Sequence, residues 1–310
     1  MTKNSRAAGA PLSPPLFTSP GAGATLTQKL ILFVFAPDFR IRRFLERKFG
    51  GRARTDRFGL VEALAFAGRV DVWQRYAPVA EAIKALGDDA STILELGSGS
   101  GGVSRFLDTT RYHIHLLDPV DIRVPADTRV EATMGDGRNL PFKDESFDAV
   151  VSVASFEHVP RAGRDRFADE AKRVAARAVI IQVPAVSADG QWNGTEMDVR
   201  FNRWHHRLSG MWDRNTTEHI DEGLPSVEEL RRQFAGAFLQ GQQHGTTWLW
   251  CMLLARLPFL GLMTGFVYLW VFERRAHRPP YYACLVTCVK ENPVSRTASA
   301  LPATRTNQPL

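Results

Sequence analysis

The sequence predicts an α/β fold built on a mostly parallel sheet with helices on both faces. Three observations carry this expectation. From Thr92 onward, short apolar strands alternate with helical segments. The strands near Thr92–Leu96, His113–Leu117, Val130–Met134, Phe147–Val153 and Ala178–Val183 are almost continuously apolar, as strands buried on both faces are. A glycine-rich turn, Gly97-Ser-Gly-Ser-Gly101, directly follows the first of them. Right-handed crossovers bring the C-terminal ends of parallel strands to one edge, where such sheets bind ligands.

The 310 residues suffice for one large domain with additions, and 44% hydrophobic with 23% charged residues is ordinary for a globular protein. Residues 1–25 are rich in Ala, Gly, Pro, Ser and Thr and read as a disordered tail. The apolar run Leu30–Phe35 is too short for a secretory h-region. Residues 26–69 form a helical and basic segment, which Pro37 divides into two short helices. Within it, residues 38–57 hold eight Arg or Lys against three acidic residues, much of the net charge of +6. This is either a patch for an anionic membrane surface or acidic substrate, or a solvated helix face.

The predicted core spans 70–185. It opens with an amphipathic helix over 70–86, in which Pro78 marks a kink or a second start. Further helices are expected over about Gly102–Asp108 and Arg164–Ala175. Residues 186–245 are the expected acceptor side. They comprise a polar-aromatic stretch (186–225), a helix over 226–236 with Ser226 and Glu229 at capping-box spacing, and a sixth strand near Phe238–His244. An apolar insertion (246–275) follows. Arg256 and Pro258 split its run at 247–272 into parts shorter than the ~20 residues that a membrane span needs. Two helices result, packed on the core, in a homodimer contact, or at a membrane surface with Trp248, Trp250, Tyr268 and Trp270 as interfacial anchors. The final strand, Tyr281–Lys290, lies in 276–291, and 292–310 is a polar tail. Cys251, Cys284 and Cys288 lack metal-type spacing, which fits reduced thiols in a cytoplasmic protein, peripheral at most at the inner membrane face, with no metal expected.

The chemistry concentrates at predicted strand ends. Glu95 closes the first strand before the glycines, which let a backbone approach a ligand closely. Asp118 ends the second strand, where a carboxylate can accept from both hydroxyls of a ribose. Gly135-Asp136-Gly137 ends the third strand and leads to Leu140-Pro141-Phe142, suited to an adenine edge. Asp144-Glu-Ser-Phe-Asp148 introduces the fourth strand, with Asp148 structural, and Ser155-Phe-Glu-His158-Val follows it. These motifs, in this order over residues 70–185, resemble the class I S-adenosylmethionine-dependent methyltransferases, in particular their small-molecule and glycan-type branch.

The resemblance implies a Rossmann-like methyltransferase fold: a mostly parallel seven-stranded sheet with an antiparallel last strand, N-terminal helices and a helical insertion. It implies S-adenosyl-L-methionine as cofactor. Gly97, Ser98, Gly99 and Gly101 would pack on its methionine part, and Glu95 would orient that loop or the amino group. Asp118 would bind the ribose, Asp136 and Gly137 the adenine, and Ser155 would line the reaction centre. The acceptor is expected to be a small or glycan- or lipid-linked hydroxylated molecule, because the stretch 186–225 mixes Trp192, Trp204 and Trp212 with polar groups. His219, His205, His206 and His158 are the candidate bases for its hydroxyl. Nucleic acid is not expected, since SFEH stands where an NPPY-type tetrad would be. Two alternatives remain open: an NAD-type oxidoreductase, whose loop normally reads GxGxxG, and a non-catalytic binder of the cofactor.

Overall fold

The computed structural model describes residues 70–99, 102–120, 122, 129–254, 265, 267–268 and 277–290. The expectations for the N-terminal segments, Gly101, most of the apolar insertion and the C-terminal tail lie outside the described residues.

In chain order the elements are α1 (Val70–Lys84), β1 (Thr92–Leu96), β2 (His113–Asp118), β3 (Val130–Met134), β4 (Phe147–Val153), α2 (Arg164–Val174) and β5 (Ala175–Pro184). Then come α3 (Gly194–Ser209), α4 (Arg214–Glu222), α5 (Val227–Gln233), β6 (Phe238–His244), α6 (Gly245–Leu254) and β7 (Tyr281–Val289). The seven strands form one sheet in the order β3-β2-β1-β4-β5-β7-β6. Neighbours from β3 to β5 pair in parallel, and β7 runs antiparallel between β5 and β6. The predicted mostly parallel seven-stranded sheet with an antiparallel last strand is therefore observed.

Successive side chains of a strand face opposite sides of the sheet, and the core divides accordingly. Ile93, Ala149 and Val151 face α1, where they meet Trp73, Ala80 and Ile83. Leu94, Leu96 and Val150 face α2 and α5, against Phe167, Ala171, Leu230 and Phe234. Cys284 and Cys288 share this second face, as their even offset requires. Asp148 is structural as expected: its Oδ2 accepts from the Ser91 N–H, the Thr92 N–H and the Thr92 hydroxyl at 2.7–2.9 Å, pinning the start of β1 to β4.

The structure corrects several expectations. No long helix spans Gly102–Asp108; a 3-10 turn covers Val103–Arg105, and Asp108 then caps a turn by accepting from the Thr110 N–H. The helix α1 runs through Pro78 with no second start there, at the cost of the hydrogen bond that an N–H would give to the Gln74 carbonyl and of the ring's crowding against that carbonyl. The polar-aromatic stretch is largely helical, forming α3 and α4. Only Met197, Phe201 and Trp204 give α3 an apolar edge, while Asn202 ties it to α4 through the Thr217 hydroxyl and the Asp213 N–H. Trp248 and Tyr268, two of the supposed interfacial aromatics, are buried: Trp248 stacks on Tyr282 and Tyr268 accepts from Gln74. Among the described residues, no helix is long and apolar enough to cross a membrane.

Candidate active site

The parallel strands deliver Glu95, Asp118 and Ser155 to one edge of the sheet. Glu95 is fully buried on the α1 face of β1. Its Oε2 accepts the Val103 N–H at 2.8 Å, and its Oε1 has no hydrogen-bond partner among the described residues. Burial pushes its carboxyl up to about 7, against the opposing pull of the Val103 N–H and the neighbouring Tyr76 hydroxyl. A Cβ at Gly102 would strike both Tyr76 and Glu95, so this glycine lets the backbone close over the carboxylate.

Gly97 adopts φ +70 and its N–H donates to the Leu117 carbonyl at 2.7 Å. Any side chain there would overlap Ser155, so the glycine loop and the segment after β4 touch at this point. Gly99, at φ +53, faces open space. Its N–H donates to Asp118 Oδ2 at 2.9 Å, while Asp118 Oδ1 accepts the Val120 N–H at 3.1 Å. Ser98 is buried with its hydroxyl unpartnered among the described residues.

Asp136 is differently disposed. Both its oxygens accept from the Arg138 guanidinium at 2.7–3.0 Å, and that hydrogen bonding holds its carboxyl below the usual range. It borders an open cleft of about 540 Å³ shared with Arg138, Asn139 and Arg166. Gly137 has a packing reason of its own, because a Cβ there would enter the Phe167 ring.

Beyond Ser155 the chain makes a 3-10 turn at Phe156–His158 and meets α3 and α4. His158 Nδ1 lies 3.0 Å from Glu218 Oε2, and His219 Nδ1 lies 2.8 Å from Asp198 Oδ2. The Tyr282 hydroxyl donates to the other oxygen of Asp198 at 2.8 Å. The two imidazoles face each other with Nε2 atoms 3.4 Å apart, and Glu157 Oε1 is 3.8 Å from His219 Nε2. Glu157 is 2% exposed, with its Oε2 unpartnered among the described residues. Burial pulls the His219 pKa down, but the Asp198 hydrogen bond and the nearby carboxylates outweigh it and leave the value raised. Burial raises Asp198 as well.

Arg164 locks this arrangement. Its buried guanidinium donates to the carbonyls of Glu157, Val159 and Gly223 at 2.6–3.2 Å, joining the turn after β4 to the end of α4.

Of the four candidate histidines, His158 and His219 come together. His205 instead bonds the Met211 carbonyl at 2.9 Å, and His206 stacks on Trp212. Trp192 donates to the Ala283 carbonyl and packs on Tyr281, a structural use. Sequence reasoning singled out Glu157 and Glu218 without giving them a role, and missed Asp198, Tyr282 and Arg164. One signal was available: the dipeptide Glu-His occurs at 157–158 and again at 218–219. In the fold each histidine turns towards the glutamate of the other pair.

Comparison with known proteins locates the same region. Residues 94–181, from β1 into β5, match the family model described as a methyltransferase domain. Among solved structures the chain is similar to the YcgJ protein from Bacillus subtilis, at 14% identity over 70% of this chain and 98% of that one, with a TM-score of 0.42. It is also similar to phosphoethanolamine N-methyltransferase 2 of Haemonchus contortus, solved with phosphomonomethylethanolamine and S-adenosylhomocysteine. That likeness has 15% identity over 74% of this chain and 58% of that one, with a TM-score of 0.42. No curated protein sequence matches the chain. Residues 94–181 thus match a methyltransferase-domain model, and the sheet around them has the mostly parallel Rossmann-like architecture expected from the sequence.

Proposed function

We propose that this protein transfers the methyl group of S-adenosylmethionine to a hydroxyl of a small, glycan-type or lipid-linked acceptor. The observation that carries this reading is the adjacency of two sites. The strand-end constellation within the matched segment touches Ser155, two residues before the buried Glu157 and the part-exposed His158.

The residues fit the donor. Glu95 offers an unpartnered carboxylate oxygen for a cationic amino group, Gly97 and Gly99 leave backbone bare for close approach, and Asp118 stands at the strand end for ribose hydroxyls. When bound, S-adenosylmethionine supplies an electrophilic methyl group on a sulfonium. The chain's own tasks are alignment, exclusion of water and removal of the acceptor proton. A new C–O bond forms as the C–S bond breaks, and its electron pair stays on sulfur. The hydroxyl proton leaves at the cluster of Glu157, His158 and His219. The exposed Trp250 on α6 supports a lipid-linked version of the acceptor.

Calorimetry with S-adenosylmethionine, S-adenosylhomocysteine and NAD tests the donor. Binding of the first two and not of NAD is expected, and the reverse would sink the reading. Labelled methyl transfer to fractionated hydroxylated extracts tests the acceptor; labelling confined to amines would exclude the hydroxyl. With an acceptor in hand, His219→Ala is expected to lower transfer by ~10²–10⁴.

A further inference from the structure

We propose that Glu157, His158 and His219 form a binding site for a divalent transition-metal ion of the zinc or manganese kind. Three facing atoms define it, one each from Glu157, His158 and His219, all within 4.8 Å of one another.

The tautomers follow from the partners. Each Nδ1 lies against a carboxylate, Glu218 for His158 and Asp198 for His219, so each carries its proton there. Both Nε2 atoms then point at each other across 3.4 Å, and in the neutral rings each presents a lone pair. Two lone pairs so placed repel unless a positive charge lies between them. Zinc–nitrogen bonds of ~2.1 Å at a tetrahedral angle put two ligand nitrogens about 3.4 Å apart. Carboxylates behind the far nitrogens are the usual support of metal-bound histidine, because they fix the ring and raise its basicity. Here Asp198 is itself held by the Tyr282 hydroxyl and Glu218 by Arg214.

Charge points the same way. Glu157, Asp198 and Glu218 bring three carboxyl groups to two imidazoles, and Arg214 pairs with Glu218. The buried, unpartnered Oε2 of Glu157 is a second available donor at the same spot. A donor set of two imidazoles and one carboxylate suits zinc, manganese or iron(II) better than calcium or magnesium, which favour oxygen. It also leaves coordination positions open, on the side where His158 and Glu218 are part exposed. With an ion bound, an acceptor hydroxyl ligated there would become more acidic and would pass its proton to solvent instead of to the cluster's own side chains. That role, though not the binding itself, rests on the hydroxyl-acceptor reading above. With a cation bound, the two Nε2 atoms serve as ligands and the cluster acts on the acceptor through the ion.

The test uses the full chain, stripped with chelator and titrated by calorimetry with Zn2+, Mn2+ and Mg2+ in turn, alongside the visible spectrum on adding Co2+. One equivalent of Zn2+ or Mn2+ is expected to bind, with Mg2+ far weaker and cobalt giving d–d absorption. His158→Ala, at the part-exposed ligand, is expected to lose about 100-fold or more in affinity, and Asp198→Asn, behind His219, about 10–100-fold. S-adenosylmethionine affinity of both variants, measured in parallel, is expected to stay within a few-fold of the parent. No stoichiometric metal binding, or binding unchanged in His158→Ala, would overturn the site and leave a shared proton between the rings. S-adenosylmethionine binding would survive that result, so failure of the metal site and failure of the donor reading are separable.

Discussion

Glu95 has no contact with solvent and only one of its oxygens is served. The folded protein therefore holds a proton on it more tightly than the unfolded chain does. This contribution to stability is full below the ordinary value of 4.5 and is lost as the pH rises through about 7. The effect is on the order of 3 kcal/mol for a fully buried group. Glu95→Gln should remove it, so urea midpoints of the variant should gain on the parent as pH rises from 5 to 8. Donor affinity of the parent should rise over the same window, because a cationic amino group needs the carboxylate, and that slope should vanish in the variant. The glycines next to it separate packing from backbone freedom. Gly97→Ala meets both a left-handed φ and the Ser155 side chain, and should cost ~2–4 kcal/mol in chemical denaturation. Gly99→Ala meets only the backbone preference and should cost ~1 kcal/mol.

Arg164, at the start of α2, acts between elements. Its guanidinium supplies hydrogen bonds to three carbonyls, the buried one of Glu157 and the part-buried ones of Val159 and Gly223. Arg164→Met should keep much of the packing but orphan those carbonyls, at ~2–4 kcal/mol in urea unfolding. If the clamp positions the acceptor cluster, KM for the acceptor should rise more than donor Kd does. The strands around this clamp were legible in the sequence, because parallel strands buried on both faces are plain apolar runs and β1 and β4 stand where those runs lie. The helices α3 and α4 were not. Their seam is polar, made by Asn202, Thr217 and Asp213, so hydrophobic periodicity carries little of it. The turn at Val103–Arg105 escaped for another reason: the segment serves Glu95 through its backbone N–H, which no side-chain pattern records.

In the whole molecule, the proposed donor and acceptor functions fall to different parts of the chain. The donor constellation lies within residues 94–181, whose strand-end motifs are local in sequence and could be read there. The acceptor cluster joins residues 157–158 to 198, 218–219 and 282, across separations that no spacing rule spans. This division makes a prediction. His219→Ala should abolish most transfer while leaving S-adenosylmethionine affinity nearly unchanged, whereas Asp118→Ala should weaken donor binding and transfer together, both read by calorimetry and a methyl-transfer assay.

The placement of β7 between β5 and β6 sets an order on the protein's manufacture. The ribosome delivers β6 well before β7, yet among the described residues β6 has no other strand partner. Until residues 281–289 emerge, β5 presents an unpaired edge and β6 has nothing to join. The Asp198–His219 pair likewise waits for the Tyr282 hydroxyl, which arrives on the same strand. A nascent chain halted before Tyr281 should therefore remain open to protease around β5 and β6 and prone to pair with other chains. Release of the final strand seals the sheet and completes the cluster in a single event, so an incomplete product cannot carry a finished site.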